Sequence, residues 1–301
     1  VVDDGSTDAT PAAVEEFRDP RIRFVRHEKN RGIPYTRNQG VQLARGEYVA
    51  FLDSDDVARP RRLEKQVRFL DAHRDHALVG SWAWHIDAAG HRTRVLRRPL
   101  TAVRIRARLL FIGCFRTPSV MARREILRRY PFDPDFPVCS DSEVWTRMAL
   151  EHNGANIPEP LIEYRLHSHG ITKRNRHRVH HRKMAITARQ LDLLGVRYDE
   201  EDLVRHLELR RPLLFAPSPD YLGWAREWMV QLLEANRRAR VYPEPHFTHA
   251  VGERCYKLFW SARRRVPGSM KLLDHPRLRR PILESLVWRG AILLRHGHGM
   301  A

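Results

Sequence analysis

The chain has 301 residues, enough to bury one full core with room for a second, smaller domain. Hydrophobic residues at 42% and charged residues at 30% exclude a disordered chain. No apolar run approaches the roughly 20 residues that cross a bilayer, which argues against a transmembrane helix, and a net charge of +18 favours anionic partners without choosing among nucleic acid, anionic lipid and phosphorylated substrate.

The chain opens without Met on Val1-Val2-Asp3-Asp4, which reads as the end of a buried strand and implies that an N-terminal piece precedes it. Asp4-Gly5 predicts a turn. Thr10 is expected to cap a helix with Pro11 at its first position and with Val14 and Phe17 facing inward. Arg21–Arg26 alternates around Ile22 and Phe24 like a strand, and Pro34–Ala44 reads as a helix closed by Gly46. Tyr48–Leu52 is a continuous apolar run ending at acids, the pattern of a strand covered on both faces. Pro60 starts a helix in which Leu63, Val67 and Leu70 share a face, and Ala77–Trp84 predicts the next strand. This alternation predicts an α/β fold with a mainly parallel sheet flanked by helices and ligands at the carboxyl ends of the strands.

From 100 to 166 the pattern is mixed, with a helix near 141–152 and a strand near 160–166. After about 170 the sequence is basic and helix-prone, broken by Pro-rich stretches at 212–219 and 242–246, and 173–183 reads as a linker or a solvated helix face. The expected division is residues 1–170, with a nucleotide half 1–86 and a second half 87–170, followed by a mostly helical region 171–301. The three cysteines, Cys114, Cys139 and Cys255, are widely spaced and odd in number, which fits a reduced, cytoplasmic setting.

Three carboxylates, Asp53, Asp55 and Asp56, follow the apolar run directly. Crowded carboxylates raise one another's pKa unless a cation is present. A hard ion such as Mg²⁺ or Mn²⁺ resolves the repulsion and brings a diphosphate with it; the competing reading is an acidic turn before the next helix. Asp3 and Asp4 stand at another strand end and are able to accept from a uracil imide or a ribose hydroxyl, or simply to shape a turn.

Taken together, VVDDGSTD (1–8), NRGIPYTRNQG (30–40) and ARGEYVAFLDSDD (44–56) resemble, in order and spacing, the nucleotide-sugar half of family 2 glycosyltransferases of the GT-A (Rossmann-like) fold. The resemblance covers residues 1–86 firmly and extends to about 170. It implies that Asp3 and Asp4 serve the nucleotide, with Asp4 on the base. It also implies that Asp53 and Asp55 form a D-x-D pair with Asp55 the main metal ligand and Asp56 in support, and that Arg37 and Asn38 line the donor pocket or brace its loop. Cys139-Ser140-Asp141-Ser142-Glu143-Val144-Trp145 resembles the family's Glu-Asp motif, which puts the catalytic base on Asp141 and an acceptor-side Trp on Trp145, with Ser140 departing from the usual Glu. A helix cap is the competing role for Asp141, and Glu143 is the fallback base. Tyr164-Arg165-Leu166-His167 resembles a Tyr-Arg-x-His segment and assigns His167 to the metal or diphosphate.

The function implied is metal-dependent, inverting transfer from a nucleoside-diphosphate sugar, a UDP-sugar first, to a carbohydrate or lipid-linked acceptor, in cell-surface polysaccharide or glycolipid synthesis. The absence of a Gln-x-x-Arg-Trp motif implies one sugar per encounter. Residues 220–236 and 279–295 read as amphipathic helices. The second, with Ile282, Leu283, Leu286 and Val287 flanked by arginines, suits core packing or contact with an anionic membrane at the inner face of the cell membrane. Three rival readings are a nucleotidyltransferase, a non-catalytic sugar-nucleotide binder and a nucleic-acid module. The last predicts aromatics interleaved with the basic run, and 173–183 has none, so no nucleic acid is expected.

Overall fold

The computed structural model describes residues 1–166 and 175–296, with backbone alone over 288–296. The chain forms two compact units, Val1–Ile105 with Gly113–Arg182, and Arg106–Ile112 with Lys183–Ala301.

The first unit begins with β1 (Val2–Asp3), α1 (Thr10–Glu15), β2 (Val25–Arg26), α2 (Ile33–Leu43), β3 (Tyr48–Ala50), β4 (Val57–Ala58) and α3 (Arg62–Ala72). It continues through β5 (His76–Ile86), β6 (Arg92–Leu96), α4 (Ala102–Arg106), β7 (Met121–Arg123), α5 (Arg124–Leu127), α6 (Ser140–Glu151) and β8 (Asn153–Arg165). β1 and β2 pair as a parallel ribbon, and the larger sheet runs β3-β7-β5-β8-β4 with β6 on β5.

The α/β class stands, but the sheet is mixed where a mainly parallel one was expected. In the larger sheet β5–β8 is parallel, while β3–β7, β5–β7, β4–β8 and β5–β6 are antiparallel. The reason is topological. Strands β3 and β5, which flank α3, do run the same way, but β7 slots between them in the opposite sense. The β5–β6 connection is a tight turn at Asp87–His91 with Gly90 at φ +92°, too short for a crossover helix. Leu70, Val79, Met121 and Ala155 form a core where α3 meets the sheet, with Val67 and Phe69 packed against it.

Local departures from the expected pattern have local causes. Thr10 is the first residue of α1 rather than its cap, because the Asp8 carboxylate already accepts its N–H at 2.9 Å. Phe17 follows the end of this six-residue helix and is 69% exposed. The run Tyr48–Leu52 is not covered on both faces: β3 is an edge strand of the larger sheet and Leu52 is exposed. On α3 the buried stripe is Arg62, Gln66 and Leu70 at i, i+4 and i+8, which turns Leu63 to solvent.

The second unit is helical: α7 (Arg176–Leu194, of which Arg182 and earlier belong to the first unit), α8 (Glu200–Leu209), α9 (Pro219–Ala239), α10 (His246–Ala262) and α11 (Pro276–His296). A reciprocal capping box between Asp199 and Asp202 starts α8. Trp228, Met229, Leu232 and Leu233 of α9 are buried, so this helix is a core element. On α11 the expected apolar face divides: Leu278 and Ile282 are buried, whereas Leu283 and Val287 face solvent. α10 and α11 approach so closely that a Cβ on Gly252 would meet the Pro281 carbonyl at 2.2 Å. Among the described residues no helix is long and apolar enough to cross a membrane.

The core of this unit contains an uncharged histidine. His206 Nε2 donates to the Leu110 carbonyl at 3.0 Å, and its Nδ1 accepts from Trp228 Nε1 at 3.0 Å. Burial pulls its pKa from 6.5 to about 4, with the charges of Arg210 and Arg254 acting the same way. Because the unfolded state takes the proton first, stability is full above pH 6.5 and is lost as the pH falls through 4. Acidification from pH 7 to pH 4 is therefore expected to take on the order of 3 kcal/mol more from the wild type than from His206→Gln, read from denaturant curves at both pH values.

Candidate active site

The acidic loop 51–56 leaves β3 at one edge of the larger sheet and enters β4 at the other, so it passes over the carboxyl ends of β5 and β8. Its position is held from beneath by a buried arginine. Arg62 donates to the Phe51 carbonyl at 2.7 Å, to the Val120 carbonyl at 3.4 Å and to Gln66 Oε1 at 2.9 Å. Gln66 passes the restraint on, donating to the Val79 and Ser119 carbonyls at 3.1 and 2.7 Å. Burial lowers the Arg62 pKa to about 10, which leaves it charged at neutral pH. From above, Arg165 at the end of β8 ties the loop to the β5–β6 turn. Its N–H reaches Asp56 Oδ1 at 2.8 Å, and its guanidinium reaches the carbonyls of Asp55 at 2.9 Å and Asp87 at 3.2 Å.

The loop concentrates three carboxyl groups whose charges oppose one another. Burial raises the Asp53 carboxyl above its ordinary value against the pull of Arg37, whose guanidinium donates at 3.1 Å, and the neighbouring Asp141 and Asp55 charges add to the rise. Burial pushes Asp56 up to about 7, reinforced by Asp55 and Asp53 and opposed by the Arg165 N–H and the Arg116 charge. Asp56 Oδ2 is buried with no hydrogen-bond partner. Among the described residues no three His, Cys, Asp or Glu side chains converge as a metal-ligand cluster, so the acids form no closed cage.

Asp141 stands on the first turn of α6, after Cys139 in a left-handed conformation at φ 65°. The Thr117 hydroxyl donates to Asp141 Oδ2 at 3.0 Å, and Trp145 Nε1 donates to Thr117 Oγ1 at 3.0 Å. The indole is only a donor, so its bond fixes the direction of the Thr117 hydroxyl toward the carboxylate. Trp145 is 3% exposed and packs edge-on against Phe51 and Phe132, with centroids 5.6 and 5.8 Å away. The acceptor-side role expected of Trp145 does not fit this burial; the ring reaches the site through Thr117. Glu143 is buried and ion-paired to Arg147 at 2.6 Å, which removes the fallback base.

The other expected residues shape the β1–β2 side of the site. Asp4 accepts the N–H groups of Arg31 and Gly32, each at 2.8 Å, and His27 Nδ1 at 2.8 Å. Burial works against its charge, and these bonds with one from Thr36 outweigh it, holding the carboxyl below its ordinary value. His27 places both ring nitrogens against oxygens, those of Gln39 and Asp4, and its pKa is raised in that order of effect. Asp3 accepts the Ser6 N–H at 3.2 Å and the Ser6 hydroxyl. Gly5 is required between them: it sits at φ +75°, and a Cβ there would meet the Lys29 carbonyl carbon at 2.9 Å. Asn38 is a brace, its amide bonding both the N–H and the carbonyl of Phe132 at 2.8 Å. The structure thus brings Asp53, Asp55, Asp56, Arg37 and Asp141 to one end of the sheet, keeps Asp3 and Asp4 on the β1–β2 side, and buries Trp145 beneath. His167 lies outside the described residues.

Residues 1–131 match the family described as Glycosyl transferase family 2. Over that stretch, which is less than half of the chain, the sequence is similar to the family 2 glycosyltransferases. An uncharacterized glycosyltransferase of Methanocaldococcus jannaschii is 31% identical over 170 residues, covering 55% of this chain and 59% of that protein. One from Haemophilus influenzae is 30% identical over 179 residues, covering 56% of this chain and 55% of that protein, so the chain spans little more than half the length of either. The succinoglycan biosynthesis protein ExoO of Rhizobium meliloti is 50% identical over 72 residues, 24% of this chain and 21% of that protein. Residues 1–349 of S. aureus TarS, solved in complex with UDP-GlcNAc, superpose with a TM-score of 0.54 at 17% identity, covering 87% of this chain and 78% of that chain. This likeness shows the GT-A-type fold, a mixed sheet flanked by helices with a helical C-terminal region.

Within this site, Thr117, Arg62 and Arg165 are organisers that the sequence motifs do not mark as such. One signal was present for Thr117: Trp145 stands four residues after Asp141, on the same helix face, so the two share a neighbourhood. Thr117→Val keeps the shape but strands the buried indole N–H, and it is expected to cost about 1–3 kcal/mol by urea denaturation. Thr117→Ser keeps the hydroxyl and is expected to recover most of that loss.

Proposed function

We propose that this chain is an inverting glycosyltransferase that moves one sugar per encounter from a nucleoside-diphosphate sugar to an acceptor hydroxyl, with Asp141 as general base. The observation that carries this reading is a single carboxylate, Asp141, oriented by the Thr117 hydroxyl and close enough to Asp53 to raise its pKa. Asp141 and the acidic loop thus lie near each other at one end of the sheet, which suits single displacement.

In this reading residues 1–86 hold the donor and 87–170 supply the base and the acceptor side, with 171–301 a basic helical region of separate role. Asp3 and Asp4 build the ledge for the nucleotide by ordering the turn at Gly5 and the segment 27–36. Arg37 restrains Asp53, and Asn38 restrains the Phe132 loop behind it. The acceptor O–H gives its proton to Asp141 as its oxygen bonds the anomeric carbon. The bond from that carbon to the diphosphate oxygen breaks on the opposite face, releasing the nucleoside diphosphate and inverting the configuration. General-base assistance of this kind contributes typically about 10²–10⁴-fold.

The acid set fits a hard divalent cation, Mg²⁺ or Mn²⁺. Asp56 has a buried oxygen without a partner, Asp53 and Asp56 are both raised in pKa, and an open carboxylate set completes a cation's shell with ligand oxygens and water. Asp55, with Asp53 or Asp56, would hold it, and when bound it supplies Lewis-acid stabilisation of charge on the leaving diphosphate. A UDP-sugar is the donor tested first, since the S. aureus fold relative was solved with UDP-GlcNAc. The stretch shared with a succinoglycan biosynthesis protein supports a role in polysaccharide synthesis; the acceptor in this reading is carbohydrate or lipid-linked, met in the cytoplasm or at the inner face of the cell membrane.

Titration of UDP, GDP and dTDP by calorimetry with Mn²⁺ is expected to give binding of one nucleotide that disappears with EDTA and in Asp55→Ala. No binding of any nucleotide in either condition would overturn the donor reading. Asp141→Asn should keep nucleotide affinity and lower turnover by about 10²–10⁴-fold; undiminished turnover would remove Asp141 from the base role.

A further inference from the structure

Beside the acids lies a group of side chains that offers hydrogen-bond donors and almost no acceptors. His85, on the penultimate position of β5, is 4% exposed. Its register partner on β6 is Arg94, whose Nε donates to His85 Nδ1 at 3.2 Å. Since Nδ1 accepts, the imidazole proton resides on Nε2, and Nε2 is buried with no partner. Arg116 shows the same deficit: its Nε is buried without a partner, and its guanidinium rests on the Tyr164 ring, 4.4 Å from the centroid. Burial keeps His85 neutral, and the charges of Arg94, Arg116 and Arg98 push its pKa the same way, so all three guanidinium groups lie around one imidazole.

Each buried donor left unmade costs about 1–3 kcal/mol, and native proteins retain few of them. The acid nearest in effect, Asp56, feels the Arg116 charge, yet its own Oδ2 is also without a hydrogen bond. A ligand with several anionic oxygens meets the need of His85 and the arginines at once, and guanidinium groups suit phosphate and carboxylate through paired N–H donors.

We propose that His85, Arg94 and Arg116 form a subsite for a phosphate or carboxylate carried by the acceptor. This rests on the transferase reading above and gives its acceptor a chemical class. The acceptor side follows from position. Arg116 is the chain neighbour of Thr117, which orients Asp141, and Arg94 lies on the β5–β6 hairpin, whereas the nucleotide ledge is built by β1, β2 and α2. An anion held here would place its molecule on the Thr117 side of Asp141, where a hydroxyl of that molecule could meet the base.

The test is calorimetric titration of inorganic phosphate into the whole chain with Mg²⁺, first alone and then with saturating UDP. Saturable binding that UDP leaves unchanged and that weakens about tenfold or more in Arg94→Gln and in Arg116→Gln supports the subsite. Arg94 is exposed, so its variant keeps the fold, which far-UV circular dichroism checks. Absence of saturable binding, or equal binding in both variants, overturns the subsite. Displacement of phosphate by UDP overturns the acceptor assignment, because the arginines would then serve the donor's diphosphate. If none of UDP, GDP and dTDP binds while phosphate binding persists and depends on Arg94, the donor reading falls and the anion subsite stands.

Discussion

The site depends on one buried cation. Arg62 has its charge inside the first unit, where an unpaired guanidinium would be strongly unfavourable, and it is matched by carbonyl oxygens and Gln66 rather than by a carboxylate. Two of those acceptors belong to the first residue of the acidic loop, Phe51, and to Val120, the residue before β7. The pairing of β3 with β7, the exit of the loop and the position of α3 are therefore coupled through a single side chain. A carboxylate partner would have satisfied Arg62 as well, but it would have neutralised a buried positive charge held beneath three acids.

Above that staple, the loop keeps its negative charge crowded. Arg37 engages Asp53 and the Arg165 backbone engages Asp56, but neither contact brings either carboxyl down to its ordinary pKa. Next to it, His85 and the arginines around it keep donors crowded in the same way. Two adjacent groups of opposite sign, in which Asp56, His85 and Arg116 each keep a buried polar atom without a hydrogen-bond partner, are costly in a folded protein. They suit a reaction in which an electron-rich leaving group, a cation and an anionic acceptor are brought together, because each arriving species meets a prepared opposite charge.

Much of this was legible in the chain. The apolar run ending in Asp53, Asp55 and Asp56 marked a strand end over a sheet, and the motif around Asp141 marked a helix N-terminus, where both were found. Secondary elements were legible where periodicity was strong, as in α2, α3, β5 and α6. Strand pairing was not, since alternation of strands and helices says nothing of a short strand such as β7 inserting between two others. Nor was the inward face of α3: hydrophobic periodicity pointed at Leu63, whereas Arg62 is the buried residue because its charge has backbone oxygens to meet. Trp145 was legible as important but not as buried, since a motif position carries no burial. Thr117, which joins Trp145 to Asp141 from 24 residues away, depends on tertiary contact alone.

That contact has a consequence for how a base can work here. A carboxylate held by a hydroxyl able to rotate would lose orientation each time the hydroxyl turned to another acceptor. In this site the option is removed, because the indole N–H occupies the acceptor side of Thr117 Oγ1 and the hydroxyl proton is left to Asp141. The indole in turn is held by Phe51 and Phe132, and Phe51 is the residue whose carbonyl Arg62 grips. The acidic loop and Asp141 are thus referred to the same small aromatic cluster, so a displacement of one carries the other with it. For a reaction that needs the acceptor oxygen and the leaving group on opposite sides of one carbon, a shared reference of this kind preserves alignment without requiring the whole unit to be rigid.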